Sequence, residues 1–159
     1  MNNQRISKIY DYKDAGGNLL FQVVRFEPKS FAQRRPFNGG FVWGLGEVKP
    51  VLYHLPEITQ AIGDGKTIFI CEGEKDADNL TALGLVSTSC PMGAGKWQDA
   101  YTKALGGCSE AVVLADKDEA GRAHAYDVAG DLCSAGIPVK WLKCRIWKAQ
   151  TSKTCLTGL

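Results

Sequence analysis

Thr67-Ile68-Phe69-Ile70-Cys71-Glu72-Gly73-Glu74-Lys75-Asp76 is an apolar run that ends abruptly in carboxylates. The same design returns in Ala111-Val112-Val113-Leu114-Ala115-Asp116-Lys117-Asp118-Glu119-Ala120-Gly121. A short continuous apolar run bounded by turn residues reads as a strand buried on both faces. Glu72, Asp116 and Asp118 then stand where buried strands meet solvent. In an open parallel sheet those C-terminal strand ends form the ligand-binding edge. Clustered hard oxygens at such an edge suit Mg²⁺. The pattern points to phosphoryl chemistry on a nucleotide or nucleic acid, carried by a metal rather than by a basic side chain.

Working outward, residues 66–143 alternate strand and helix. Strands are expected over 67–71, 86–89, 111–115 and 139–142, and helices over about 75–83, 97–105 and 119–134. In the last helix Ala125, Val128, Ala129 and Leu132 fall at i, i+3, i+4 and i+7, one apolar stripe. Gly84, Gly106 and Gly136 lie where helices should stop. Repeated βα units with short loops imply an α/β fold, a mostly parallel four-stranded sheet with helices on both faces.

Residues 1–65 have another texture, rich in aromatics, arginine and turns. Asp14-Ala15-Gly16-Gly17 reads as a turn before a strand over 19–26, which Pro28-Lys29-Ser30 breaks. A second strand is expected over 31–35, a turn at Asn38-Gly39-Gly40, and further strands at Phe41-Val42-Trp43 and Val51-Leu52-Tyr53. Leu55-Pro56-Glu57-Ile58 starts a short helix that Gly63-Asp64-Gly65 ends. This is a small, twisted, β-rich appendage. Three segments follow: 1–65, 66–143 and an atypical tail over 144–159.

Composition sets the bounds. A chain of 159 residues, 45% hydrophobic, holds one ordinary domain or a small domain with an appendage. No apolar stretch is long enough to span a membrane, and no signal peptide is read at the N-terminus. The six cysteines show no paired spacing and only two histidines accompany them, which argues against structural zinc and for reduced, intracellular, mostly buried thiols. A net charge of +2 neither demands nor excludes nucleic acid.

The order of the acidic motifs, strand–Glu-Gly-Glu-Lys-Asp and then strand–Asp-x-Asp-x-x-Gly, resembles the TOPRIM fold of primases and topoisomerases. It is most similar to the primase part of phage and plasmid primase–helicase proteins. Tyr10-Asp11-Tyr12-Lys13-Asp14, Gln22-Val23-Val24-Arg25-Phe26, Gln33-Arg34-Arg35-Pro36 and Leu52-Tyr53-His54-Leu55-Pro56 resemble the segment preceding TOPRIM in those proteins. Pro91-Met92-Gly93-Ala94-Gly95-Lys96-Trp97 resembles their second loop. The resemblance implies a Rossmann-like sheet and a site in which Glu72 does metal or acid–base work and Asp116 and Asp118 bind Mg²⁺ or Mn²⁺. It implies synthesis of RNA primers from NTPs on single-stranded DNA, in the cytoplasm of a host carrying a phage, prophage or plasmid, beside a replicative helicase. A TOPRIM nuclease and a non-catalytic nucleic-acid-binding remnant are the competing readings.

Each remaining feature has a plain reading beside the functional one. Glu119 suits a helix N-terminus, and Glu74 and Asp76 suit a first helical turn, within reach of outer-sphere waters. Lys117 reads as a solvated charge. Gly73 and Gly121 fit tight strand-to-helix turns by backbone need. Gly93-Ala94-Gly95-Lys96 is no Walker motif, since Trp97 follows the lysine, yet its amides and Lys96 suit phosphate as well as a simple turn. Arg25, Lys29, Arg34 and Arg35, interleaved with Phe26, Phe31 and Phe37, suit phosphate contacts and base stacking, as does Lys75 beside the acidic motif. A β-unit with aromatics inward and arginines outward produces the same pattern with no ligand. Trp43 and Tyr53 are expected in the core. His54 and His124 have no triad or zinc partners.

The tail, Arg145 to Leu159, departs from the family, which places an acidic element similar to Lys-Asp-x-Ser-Asp-Trp after the last strand. Back-translated and shifted by one nucleotide, it can spell Asp-Leu-Glu-Ser-Pro-Asp-Ile-Lys-Asp-Leu-Ser-Asp-Trp-Leu. It therefore reads as frameshifted, the third acidic motif being lost. On this reading the chain is a primase core without zinc-binding or motor parts, impaired in polymerisation.

Overall fold

The computed structural model describes residues 4–116, 118–143 and 153–154. Lys117 and the tail residues 144–152 and 155–159, on which most of the shifted-frame reading falls, lie outside the described residues.

The first half is an antiparallel meander in the order β1 (Arg5–Lys13), β2 (Leu19–Glu27), β3 (Ser30–Phe37), β4 (Gly40–Trp43). β1 was not among the expected strands, although Tyr10 and Tyr12 alternate with Asp11 and Lys13 in the period of a half-buried strand. Helix α1 (Leu55–Gly63) follows. The strand expected at Val51-Leu52-Tyr53 does not form. Leu52 and Tyr53 are buried, and the Tyr53 amide donates to the Ser89 carbonyl, so packing, not a ladder, made the segment apolar.

The second half runs β5 (Ile68–Ile70), α2 (Glu74–Ala82), β6 (Val86–Thr88), α3 (Asp99–Ala104), β7 (Ala111–Ala115), α4 (Glu119–Ser134), β8 (Val139–Lys143) and β9 (Lys153–Thr154). Its sheet order is β6-β5-β7-β8-β9. The first four strands are parallel, as expected, and two-residue β9 adds antiparallel to β8. β5 and β7 are direct neighbours, Ile68 opposite Ala111 and Ile70 opposite Val113. The fold is thus a TOPRIM-like, Rossmann-type α/β sheet flanked by helices, with a β-rich appendage.

Strand alternation distributes the core. Ile68, Ile70, Ala111, Val113 and Val139 point to one face and pack with Ile58 of α1, Tyr101 of α3, and Val128 and Leu132 of α4. Cys71 and Leu114 point to the other, where Ala77 and Leu80 of α2 meet Tyr12, Phe21 and Val23 of the meander. The described cysteines form no disulfide, and Cys71, Cys90 and Cys108 are buried. No helix among the described residues is long and apolar enough to cross a membrane.

One buried polar bond ties the meander to the acidic turn. The Tyr12 hydroxyl, its ring stacked on Phe21 at 4.4 Å, donates to Glu74 Oε1 at 2.8 Å. Glu74 stands in the first turn of α2, as expected, and is only 6% exposed. Burial raises its pKa above the usual carboxylate range, and the Tyr12 bond pulls it back. A raised acid pKa means that the native state holds the proton more tightly, so stability falls as pH climbs through that raised value. Tyr12→Phe removes a bond worth more to the ionised than to the protonated carboxyl. It should lower the unfolding free energy by about 1–3 kcal/mol at neutral pH. The loss should shrink once Glu74 is protonated, as measured by urea denaturation at acid and neutral pH.

Candidate functional site

Glu72 leaves the end of β5 and Asp116 the end of β7, so the β5–β7 pairing delivers two carboxylates to adjacent strand ends. Asp118 is the N-cap of α4, its Oδ1 accepting from the Gly121 amide at 2.7 Å. The capping role expected of Glu119 therefore belongs to Asp118, a short side chain that reaches the exposed amides better.

Side-chain atoms of all three acidic residues border Gly121. A β-carbon there would lie 2.5 Å from Glu72 Oε2, 2.6 Å from Asp116 Cβ and 3.2 Å from Asp118 Oδ1. Gly121 is helical, and Gly73 has φ −139°, a backbone that any residue adopts. The expectation that both glycines meet a backbone need is therefore corrected: at Gly121 the requirement is space. Among the described residues, Glu72 Oε2 is buried without a hydrogen-bond partner. Its carboxyl titrates above the usual range, first because of burial, then through repulsion from Asp116, Asp118 and Asp76, with Lys29 opposing. These are hard oxygens with one unsatisfied member, a donor set that fits a divalent cation chemically. Among the described residues, however, no three His, Cys, Asp or Glu side chains are already arranged to hold one.

Glu72 and Asp116 line an open cleft of about 490 Å³ between the two sheets. Lys75 and the loop residues Met92, Gly93 and Ala94 share their wall, while Tyr10, Arg25, Lys29 and Phe31 of the meander form the facing one. Of the cations marked in the sequence as phosphate ligands, Arg25 and Lys75 line this cleft, as does Lys29 from the same early cluster. Arg34, Arg35 and Lys96 do not. Gln22 pairs with Arg34 and Val23 with Gln33, which puts Arg34 on the face opposite Val23. There its Nε donates to Gln22 Oε1 at 2.7 Å and its guanidinium lies 4.4 Å from the Phe41 ring centroid. Arg35 donates to the Gly44 carbonyl. Trp43, expected in the core, is 56% exposed, whereas Tyr53 is buried as expected. Short β4 is the meander's edge, and Trp43 stays more than half exposed there although Phe26 and the Arg34 guanidinium lie against it.

The loop after β6 turns through left-handed φ angles at Met92 (68°), Gly93 (78°) and Gly95 (73°). Cys90 Sγ donates to the Gly93 carbonyl, and the Gly95 amide donates to His124 Nδ1 at 3.2 Å. His124 and Met92 were not read as site residues. The signal for His124 was its place in the apolar stripe of α4, one turn before Val128, where a polar ring must be buried and needs a partner.

No protein-family profile matches the chain, and no curated protein sequence matches it. Solved structures do. The Aquifex aeolicus primase, with zinc-binding and RNA polymerase domains, superposes with a TM-score of 0.67 at 20% identity over 88% of this chain and 34% of that one. The E. coli primase catalytic core gives 0.65 at 16% identity over 88% and 45%. The primase fragment of the bacteriophage T7 primase–helicase gives 0.58 at 23% identity over 82% and 51%. The chain thus has the fold of primase catalytic cores and spans about a third to a half of their solved lengths.

Two glycines of α4 provide an internal comparison. Gly130 has open space where a side chain would go, and Gly121 has none. Gly130→Ala should stabilise the protein by about 0.5–1 kcal/mol, the ordinary helix preference. Gly121→Ala should destabilise it by about 1–3 kcal/mol, because the methyl group must displace packed carboxylates. Thermal unfolding of the two variants should show opposite shifts in Tm.

Proposed function

We propose that this chain is the catalytic core of a DNA primase, making RNA primers from NTPs on single-stranded DNA by metal-dependent nucleotidyl transfer. The observation that carries the proposal is Glu72 Oε2, a buried oxygen without a partner among the described residues, beside Asp116 and Asp118, on a residue that lines a cleft with basic residues. The primase-core fold supports it.

On this reading residues 66–143 form the catalytic unit and residues 1–65 a substrate-facing subdomain. Glu72, Asp116 and Asp118 would hold Mg²⁺ or Mn²⁺. A bound ion of this kind neutralises phosphate charge and lowers the pKa of an attacking hydroxyl. Arg25, Lys29 and Lys75 meet the triphosphate and template phosphates. Tyr10 and Phe31 offer rings against which bases can lie. Glu72 Oε2, unpaired among the described residues, is free to take a cation or a proton. A host cytoplasm and a replicative helicase of the parent system complete the setting.

A second reading, a nucleic-acid-binding remnant, is favoured by two observations. Asp118 Oδ1 is engaged in capping α4, and no ligating trio is preformed among the described residues.

Labelled NTPs, single-stranded DNA and Mn²⁺ separate these readings, with the chain as it stands and with the tail restored to the shifted frame. Primer synthesis should appear, more strongly with the restored tail, and fall by at least about 100-fold in Glu72→Gln. DNA cleavage abolished by Glu72→Gln would instead make the chain a nuclease. Absence of product from both forms, with binding that weakens steeply as salt rises, would leave the remnant.

A further inference from the structure

We infer that His124 is a positioning residue for the cleft: its imidazole holds the left-handed 92–95 loop in the shape that presents backbone to a nucleotide's phosphates. The inference deepens the proposed function and rests on it for the identity of the ligand.

The loop has little reason of its own to keep this shape. Met92 carries φ 68°, unusual for a residue with a side chain, and Gly93 and Gly95 are also left-handed. Such a conformation persists where the surroundings over-determine it. Here two side chains beneath the loop do so. Cys90 Sγ lies 3.4 Å from the Gly93 carbonyl oxygen, and His124 Nδ1 accepts the Gly95 amide at 3.2 Å. His124 Nε2 lies 4.0 Å from Cys90 Sγ, so the two supports also touch each other.

The acceptor role fixes the tautomer. Nδ1 faces an N–H and carries no proton, so the neutral ring bears its proton on Nε2, toward the cysteine sulfur. Burial, with 6% of the residue exposed, keeps the ring neutral. A histidine in the apolar stripe of α4 would otherwise be a poor choice, since leucine fills such a position without a polar group to satisfy. The supported residues bear on the site directly, because Met92, Gly93 and Ala94 line the cleft that Glu72 and Asp116 share. The imidazole itself reaches no substrate position. It acts through the loop.

His124→Leu and His124→Asn test this, since Asn Oδ1 can stand in for Nδ1 as the acceptor and Leu cannot. Amide exchange at Gly95 and Mn²⁺-dependent ATP binding are followed in each variant, with circular dichroism reporting the fold. His124→Leu should speed Gly95 exchange and weaken ATP binding, each by about tenfold, the worth of one ordinary hydrogen bond. His124→Asn should restore most of both. In primer synthesis the loss should fall on KM for NTPs more than on kcat. Unchanged Gly95 exchange in a folded His124→Leu protein would overturn the inference, and so would an Asn variant no better than Leu. If Leu proves unfolded, Cys90→Ala, which removes the companion support, must speed exchange across Gly93–Gly95, or the inference fails. Wild-type ATP binding that His124→Leu leaves intact would refute this role alone. Absence of ATP binding in the wild type would refute the ligand and weaken the primase reading with it.

Discussion

The parallel pairing of β5 with β7 is the constraint on which the rest depends. Ile68 opposite Ala111 and Ile70 opposite Val113 bring two buried strands to the same level, and the residues that follow them are Glu72 and Asp116. Like charges gather here because parallel pairing ends both strands at the same edge of the sheet. The core beneath, with Ile68, Ile70 and Val113 almost wholly out of solvent, holds that crowding in place.

That crowding explains several features together. Burial, and then repulsion, raise the pKa of Glu72, Asp118 accepts a hydrogen bond from the Gly121 amide of α4, and Gly121 leaves the room that a methyl group would close. A site of this kind gains from any cation that enters it, which is the physical sense of the metal reading. The meander completes the arrangement from the other side. Its inner face supplies the Tyr12–Glu74 tie and the second core, and its Arg25 and Lys29 bring positive charge across the cleft. The two sheets, tied by the Tyr12–Glu74 bond and the Lys8–Asp78 ion pair, thereby become the two walls of one cleft.

The sequence alone determined the βα alternation, the strand ends that carry Glu72 and Asp116, the apolar stripe of α4 and the turns of the meander. Each is local: a strand shows a period of two or an unbroken apolar run, a helix a period near 3.6, and a turn its own residue chemistry. Helix α4 was legible to its ends for this reason, and the short strands to within a residue or two.

Only the tertiary structure decided which side chains meet. Arg25 and Arg34 look alike along the chain, but antiparallel register turns the first toward the cleft and the second outward onto Phe41. Tyr12 and Glu74 are 62 positions apart, and nothing in either segment announces that they share a hydrogen bond. Val51-Leu52-Tyr53 is apolar enough for a strand and is instead packed as a loop, while Trp43 lies on the meander's edge strand and stays more than half exposed. The need for glycine at residue 121 arises from carboxylates delivered by two other segments, and the value of His124 from an amide in a distant loop. Local pattern fixes period and polarity, but partners are set by register and packing between segments far apart in the chain, and a single sequence carries no local trace of those distances.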